Sequence, residues 1–271
     1  KPYPASFYHM DKLKSLTRFR DSLVRQRSRQ LVDLTNVLDK VFPEFKPFFK
    51  GKFSVTALYI LANYPTPEKI ANMNARSYEV LRKRSSGKFT MIQFAQLKTL
   101  AKNTVGSSDD YLLQQMEVLL DIYTQLDAKI EEVEAEIIEC IIGIDPPILS
   151  IPGIGAMSAA VILSEFGDFA KYANPSKMLS FAGLEPGYFQ SGQSEHTGHM
   201  VKHGSSHLRY ALLNCCLPLI KNDPTFAAYY TKKRAEGKPH RVAMTHVAKK
   251  LLRVIYTLQT KNIPYNADLV R

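Results

Sequence analysis

Ser191 stands between Gln190 and Gly192, in a stretch with too many glycines for a buried element, so its hydroxyl is expected to be accessible. A serine oxygen is a weak nucleophile until a base takes its proton or cations stabilise the charge that develops during attack. Lys202, His203, His207 and Arg209 follow shortly downstream and supply both functions, a set suited to attack on phosphorus. Taken alone, the same Ser-Gly pair reads as a turn. His196, His199, His203 and His207 recur at steps of three, four and four, a spacing zinc accepts. Gly198 and Gly204 interrupt that series and no cysteine lies nearby, so imidazoles beside phosphate are the preferred reading and no metal site is expected. A second candidate lies upstream, at Ile151-Pro152-Gly153-Ile154-Gly155-Ala156. Glycines let the chain reverse there, and a following helix would offer free amides and a positive dipole end to a phosphate oxygen. Gly153 and Gly155 are therefore candidate DNA-backbone contacts, blind to base sequence. The competing reading is a tight turn that packs and binds nothing.

These residues need elements to hold them. Between residues 11 and 30 lie Lys12, Lys14, Arg18, Arg20, Arg25, Arg27 and Arg29, interleaved with apolar residues at steps of three and four. That predicts an amphipathic helix running to about Val41 and stopped by Pro43 and Pro47. Its cations fit either a solvated face or a phosphate contact. Val55 to Leu61 and Met91 to Lys102 read as short helices, with another starting at Pro67-Glu68. Arg82, Lys83, Arg84 and Lys88 surround Ser85-Ser86-Gly87 as a basic loop, a candidate contact for a backbone phosphate. Leu112, Met116, Leu119, Tyr123, Leu126, Ile130, Val133, Ile137 and Cys140 alternate steps of four and three, the seam of a coiled coil. It predicts a helix over residues 108–142, capped by Ser108-Asp109-Asp110, ended by Gly143 and Pro146-Pro147, and serving as a homodimerising arm. The expected fold is mainly α: long helices and a coiled coil over residues 1–145, then a domain containing a helix-hairpin-helix over residues 146–271.

Composition bounds the partners. A chain of 271 residues with 45% hydrophobic and 23% charged residues is not a disordered polymer. No run approaches the roughly 18 apolar residues of a membrane span, so a soluble protein with no membrane partner is expected. Three cysteines without ligand spacing suit a reducing, cytoplasmic setting. The net charge of +11 favours a polyanion, nucleic acid first. Lys1-Pro2-Tyr3-Pro4 reads like the interior of a longer protein.

The hairpin string, Phe181-Ala182-Gly183-Leu184-Glu185-Pro186, Gln190-Ser191-Gly192 and the stretch from Lys202-His203-Gly204 to Leu208-Arg209 together resemble the C-terminal domain of the insertion-sequence-110 (110/116/902) family of transposases. The run from Lys238-Pro239-His240-Arg241 to Leu252-Arg253 is similar to that family's closing helix, and Leu13-Lys14-Ser15-Leu16 to the helix that follows its metal-binding half. The resemblance implies a DNA recombinase directed by a guide RNA, with a serine nucleophile that maps to Ser191, or failing that Ser194. It gives Lys202, His203 and Arg209 to DNA. It also implies an N-terminal domain whose acidic residues hold Mg²⁺; with the dimerising seam, a recombination complex would pair two dimers into a tetramer. Acids of that kind would precede the Leu13-Lys14 helix, whereas Asp11, Asp21, Asp33 and Asp39 are spread along it. The chain is thus expected to be the DNA-binding and serine-nucleophile part, inactive alone. The alternative is a non-catalytic DNA-binding and dimerisation module.

Overall fold

The computed structural model describes residues 5–51, 53–107, 109–191, 194–200 and 203–270, with backbone alone at residues 5–9, 186–191, 194–200 and 269–270. It is mainly α, as the periodicities require. The helices are α1 (Ala5–Val41), α2 (Phe45–Phe48), α3 (Val55–Asn63), α4 (Pro67–Ala71), α5 (Ala75–Arg84), α6 (Met91–Lys102) and α7 (Asp110–Ile144), followed by α8 (Ala156–Phe166) and α9 (Pro175–Ala182). An antiparallel hairpin, β1 (Pro186–Ser191) and β2 (Ser194–Met200), comes next, and α10 (Ser206–Asn222), α11 (Pro224–Ala235) and α12 (His240–Lys261) complete the order. The chain divides into two compact units, with the divisions at residues 20/21 and 131/132, inside α1 and α7.

The unit of residues 21–131 is built on short helices because the sequence supplies a cap wherever one starts. Ser54, Thr66, Asn74 and Thr90 each accept a hydrogen bond from the third backbone amide of the helix they precede, and Asn74 and Thr90 complete capping boxes with Ser77 and Gln93. Leu34, Leu38, Phe42 and Phe45 pack with Ile60, Leu81, Leu97 and Met116 in its core. Pro47 does not end a helix but sits within α2.

The other unit holds residues 1–20 and 132–271. Leu13 of α1 and Ile137 of α7 are fully buried in a core shared with Ile162 of α8, Leu212 of α10 and Leu251 and Ile255 of α12. Ala159 and Ala160 are also fully buried there, small enough for helices to meet closely. In both units, then, the α7 seam is closed largely from within the chain: Leu112, Met116, Ile130 and Ile137 are buried, and Leu119, Tyr123, Leu126, Val133 and Cys140 are half-buried. A heptad pattern fixes that a partner exists; here the chain's own core supplies much of it.

Two local expectations are corrected. Helix α7 runs through Gly143 to Ile144 and is stopped by Asp145, whose φ of 45° turns the chain out of the helix ahead of Pro146. Ser108, expected to cap it, lies outside the described residues. The glycine-rich segment expected to be a loop is instead the β1–β2 hairpin, because Tyr188 and Phe189 on one strand and Thr197 on the other have the side-chain types that sheets favour.

Candidate nucleic-acid interface and nucleophile

Ser191 is the last residue of β1 and pairs across the hairpin with Ser194, the first of β2. Both serines of the sequence reading therefore flank the tip, with Gly192 and Gln193 between them and outside the described residues. The pairing shifts register between Pro186 and Tyr188, an irregularity that adds twist at the end of the hairpin nearest the helices.

What fixes the chain just beyond the hairpin is a buried carboxylate that the sequence reading missed. Glu165, near the end of α8, has a side chain only 1% exposed. Arg18 of α1 grips it with two bonds, Nε to Oε1 at 2.8 Å and Nη2 to Oε2 at 3.1 Å. Ser205 donates its hydroxyl to Oε2 at 2.8 Å, and its Oγ also accepts from the Leu208 amide as the N-cap of α10. Burial pushes this carboxyl upward, but the bonds from Arg18 and Ser205, with the positive charges of Arg18 and Lys14, outweigh it and hold the group below the usual glutamate range. A lone acid inside Val161-Ile162-Leu163-Ser164-Glu165-Phe166 was the signal available: an ion at a core position needs a partner. Beside it, Ser205 N donates to Phe181 O at 3.1 Å, and Gly204 presses against the same carbonyl. The hairpin is thus held between the end of α9 and the cap of α10.

The other expected site residues fall as follows. Gly153, at φ +87°, lies so close to the α10 backbone that an added Cβ would stand 2.8 Å from the Pro218 carbonyl carbon. Its small size makes room for protein. Gly155 precedes α8 with no side-chain cap and open space around it, so the first amides of α8 have no side-chain partner there. The element before this turn is a single 3₁₀ turn, Pro147–Ser150, where the sequence reading placed the first helix of a helix-hairpin-helix. His203 is exposed ahead of α10, and Arg209 in its first turns donates to Ala182 O at 3.4 Å. Lys202 lies outside the described residues. His196 and His199 lie on β2, and no group of three or more potential metal ligands converges among the described residues. The described residues thus offer no ligand set that fits the Mg²⁺ that the resemblance implies.

The charges of α1 have partners. Within the unit of residues 1–20 and 132–271, Lys12 pairs with Glu136 at 2.7 Å and Arg20 with Glu134, besides Arg18 with Glu165. Within the other unit, Arg27 pairs with Asp127 and Arg25 with Asp21. Five of the seven cations of that run are thus matched by acids, which favours the intramolecular reading over a free phosphate-binding face. Cys215 and Cys216 offer no rival nucleophile: both are buried, and burial, then the neighbouring Cys215, pushes the Cys216 thiol up to about 12.

Residues 145–231, a span that includes the whole hairpin, match the Transposase IS116/IS110/IS902 family. The chain is 26% identical over 259 residues to the insertion element IS900 uncharacterized 42 kDa protein of Mycobacterium paratuberculosis, covering 94% of this chain and 65% of that protein. It is 31% identical over 115 residues to the insertion element IS110 uncharacterized 43.6 kDa protein of Streptomyces coelicolor, covering 42% of this chain and 28% of the relative. Against the pilin gene-inverting protein of Moraxella bovis the identity is 28% over 119 residues, covering 43% and 37%. The chain thus spans less than two thirds of the length of each of these relatives. No described helix is long and apolar enough to cross a membrane.

Proposed function

We propose that this chain, which matches the Transposase IS116/IS110/IS902 family over residues 145–231, is the DNA-binding and serine-nucleophile part of a DNA recombinase. The observation that carries this reading is that the family match runs through a hairpin whose tip is flanked by Ser191 and Ser194, with its far end braced by the buried Glu165–Ser205 contact. In the proposed step the Ser191 oxygen attacks phosphorus, and the bond from phosphorus to one deoxyribose oxygen breaks as the new O–P bond forms. The serine proton leaves to a base and the departing sugar oxygen is protonated. The phosphoserine link conserves the bond for rejoining to another strand. Lys202, His203 and Arg209 stabilise the charge of the five-coordinate phosphorus, and the uncapped start of α8 at Gly155 takes a backbone phosphate. A guide RNA and Mg²⁺ belong to the complete enzyme in this reading.

The test is a covalent protein–DNA adduct, resolved on a denaturing gel, formed by the complete recombinase with its guide RNA and Mg²⁺. Ser191→Ala should abolish the adduct while DNA binding persists, and Ser194→Ala should leave it. Adduct formation by the Ser191→Ala protein removes this nucleophile. Binding by the parent enzyme without any adduct leaves the non-catalytic module.

A homodimer through the α7 coiled coil, and a tetramer in the recombination complex, also belong to the proposal. With the seam largely internal, the large apolar residues of α7 left exposed for a second copy in the unit of residues 21–131 are Tyr111, Val118 and Ile122, at 60%, 53% and 37% exposure and steps of seven and four. Val118→Glu with Ile122→Glu should halve the mass measured by light scattering and keep the helical circular dichroism. A parent chain that scatters as a monomer rejects the dimer.

A further inference from the structure

The charge of this chain is concentrated in one place. Residues 224–261 carry nine Lys and Arg against one acid, Glu236, a net of +8 out of the whole chain's +11. The remaining 233 residues hold 27 cations and 24 acids, so α11, α12 and their connection account for most of the basic character. Unlike the cations of α1, these have few partners among the described residues: the one ion pair is Lys233 with Glu236 at 2.9 Å.

The geometry orders them. Arg241, Lys249 and Arg253 stand eight and four residues apart on α12, and steps of four keep side chains on one side of a helix. At 1.5 Å per residue they span about 18 Å. Arg234 and Lys238 extend the positive surface around the α11–α12 connection, where Arg234 donates to Lys238 O at 2.7 Å. Arg234, Lys238, Arg241 and Arg253 are exposed and Lys249 is half-buried. Lys250 lies over the Tyr229 ring at 4.9 Å, with Lys233 over the same ring, so two more cations are held in place by aromatic contact. The field is felt nearby: burial first, then the charges of Lys249, Lys233 and Lys238, lower the His246 pKa, with only Glu236 opposing them.

We infer that this face of α11 and α12 is a docking surface for the phosphate backbone of duplex DNA, indifferent to base sequence. Duplex DNA carries one negative charge per roughly 1.7 Å of axis, so about ten phosphates lie alongside an 18 Å stripe. Three cations distributed along about three turns of one helix can each meet a phosphate of that row. A lipid surface would require apolar residues beside the cations, and the only large apolar side chain exposed on α12 is Val242. The choice of DNA as the polyanion rests on the recombinase reading.

The experiment uses the 271-residue chain, a 30-base-pair duplex of arbitrary sequence and a salt titration. One variant carries Arg241→Gln, Lys249→Gln and Arg253→Gln. A second removes the same charge elsewhere, with Lys50→Gln, Lys69→Gln and Lys102→Gln at exposed positions of the other unit. Both should keep the parent's thermal midpoint. The first should weaken binding about a hundredfold near 0.1 M salt and flatten the log–log salt slope by about 2.7, three contacts at 0.9 each. The second should leave slope and affinity near those of the parent. Equal losses in both variants would mean that binding follows net charge, and the surface would be rejected. It would also be rejected if the α12 variant lost affinity for duplex RNA and none for DNA. Failure of the recombinase reading looks different: salt-dependent DNA binding through α12 would persist while the complete enzyme gave no Ser191-dependent adduct.

Discussion

Gly204→Ala should lower the thermal midpoint of the unit holding residues 1–20 and 132–271 by about 6–12 °C, taking 2–4 °C per kcal/mol for a unit of this size and a cost of about 3 kcal/mol. Gly204 has φ +125°, a backbone region that L side chains rarely enter. A Cβ built there would stand 2.2 Å from Phe181 O, with the Gly183 amide nitrogen at 3.1 Å. Neither atom can yield cheaply. Phe181 O is held by the Ser205 amide, and Gly183 is the left-handed residue that closes α9. Accommodating a methyl means parting α9 from the cap of α10, the two elements between which the hairpin is mounted. Gly155→Ala supplies the contrast, because its Cβ would meet nothing within 4 Å and its φ is −86°. That variant should unfold within about 0.5 kcal/mol of the parent. If it nevertheless binds DNA less well, the loss reports a contact and not a folding defect. A Gly204→Ala midpoint equal to that of Gly155→Ala would contradict the packing argument.

The same pair of glycines shows what a single sequence makes legible. Both sit in turns, and both turns were visible from residue types. Which glycine faces protein and which faces open space depends on residues far away, as with Gly153 against Pro218, and no local pattern carries that. The long α1 was read well because a three-and-four period sustained over many turns has few competing explanations, and it ends at Val41, as expected; the short α6 also spans Met91–Lys102. The hairpin was missed because its six- and seven-residue strands carry polar and small residues that equally suit a loop. The heptads of α7 announced a partner without saying whose. Likewise the cations of α1 looked free until Glu134, Glu136 and Glu165, more than 100 residues on, were folded against them. Ser191 was singled out as a nucleophile chiefly through family resemblance, since Ser-Gly alone is ambiguous. The charge concentration of α11–α12 stands in the sequence itself, but that it meets one acid where the cations of α1 meet several shows only in the folded chain.

Glu165→Gln should destabilise the same unit at neutral pH and make its stability less sensitive to acid. The carboxylate receives two bonds from Arg18 and one from Ser205, and it is the only group of the three that is almost wholly removed from water. An amide of the same shape keeps the Ser205 contact but faces the Arg18 guanidinium with an NH₂ on one side, losing one bond and the attraction of opposite charges. Breaking a fully buried pair costs about 3–5 kcal/mol. Arg18 is half exposed and can turn to water, which reduces the expected loss to about 2 kcal/mol. The pH dependence follows from the direction of the shift. The folded Glu165 pKa lies below that of the unfolded chain, so the unfolded state takes up a proton first as pH falls. The stabilisation is therefore complete above the ordinary glutamate pKa of about 4.3 and is lost as pH drops through the depressed folded value. Urea unfolding of parent and Glu165→Gln chains at pH 7, 5, 4 and 3 should show a gap that is widest at pH 7 and narrows below pH 4. Arg18→Gln should show the same narrowing, because it removes the cation that lowers the shared pKa. A gap that stays constant from pH 7 to pH 3 would mean that the ionised carboxylate is not what braces the hairpin, and that the shape of the side chain alone does so.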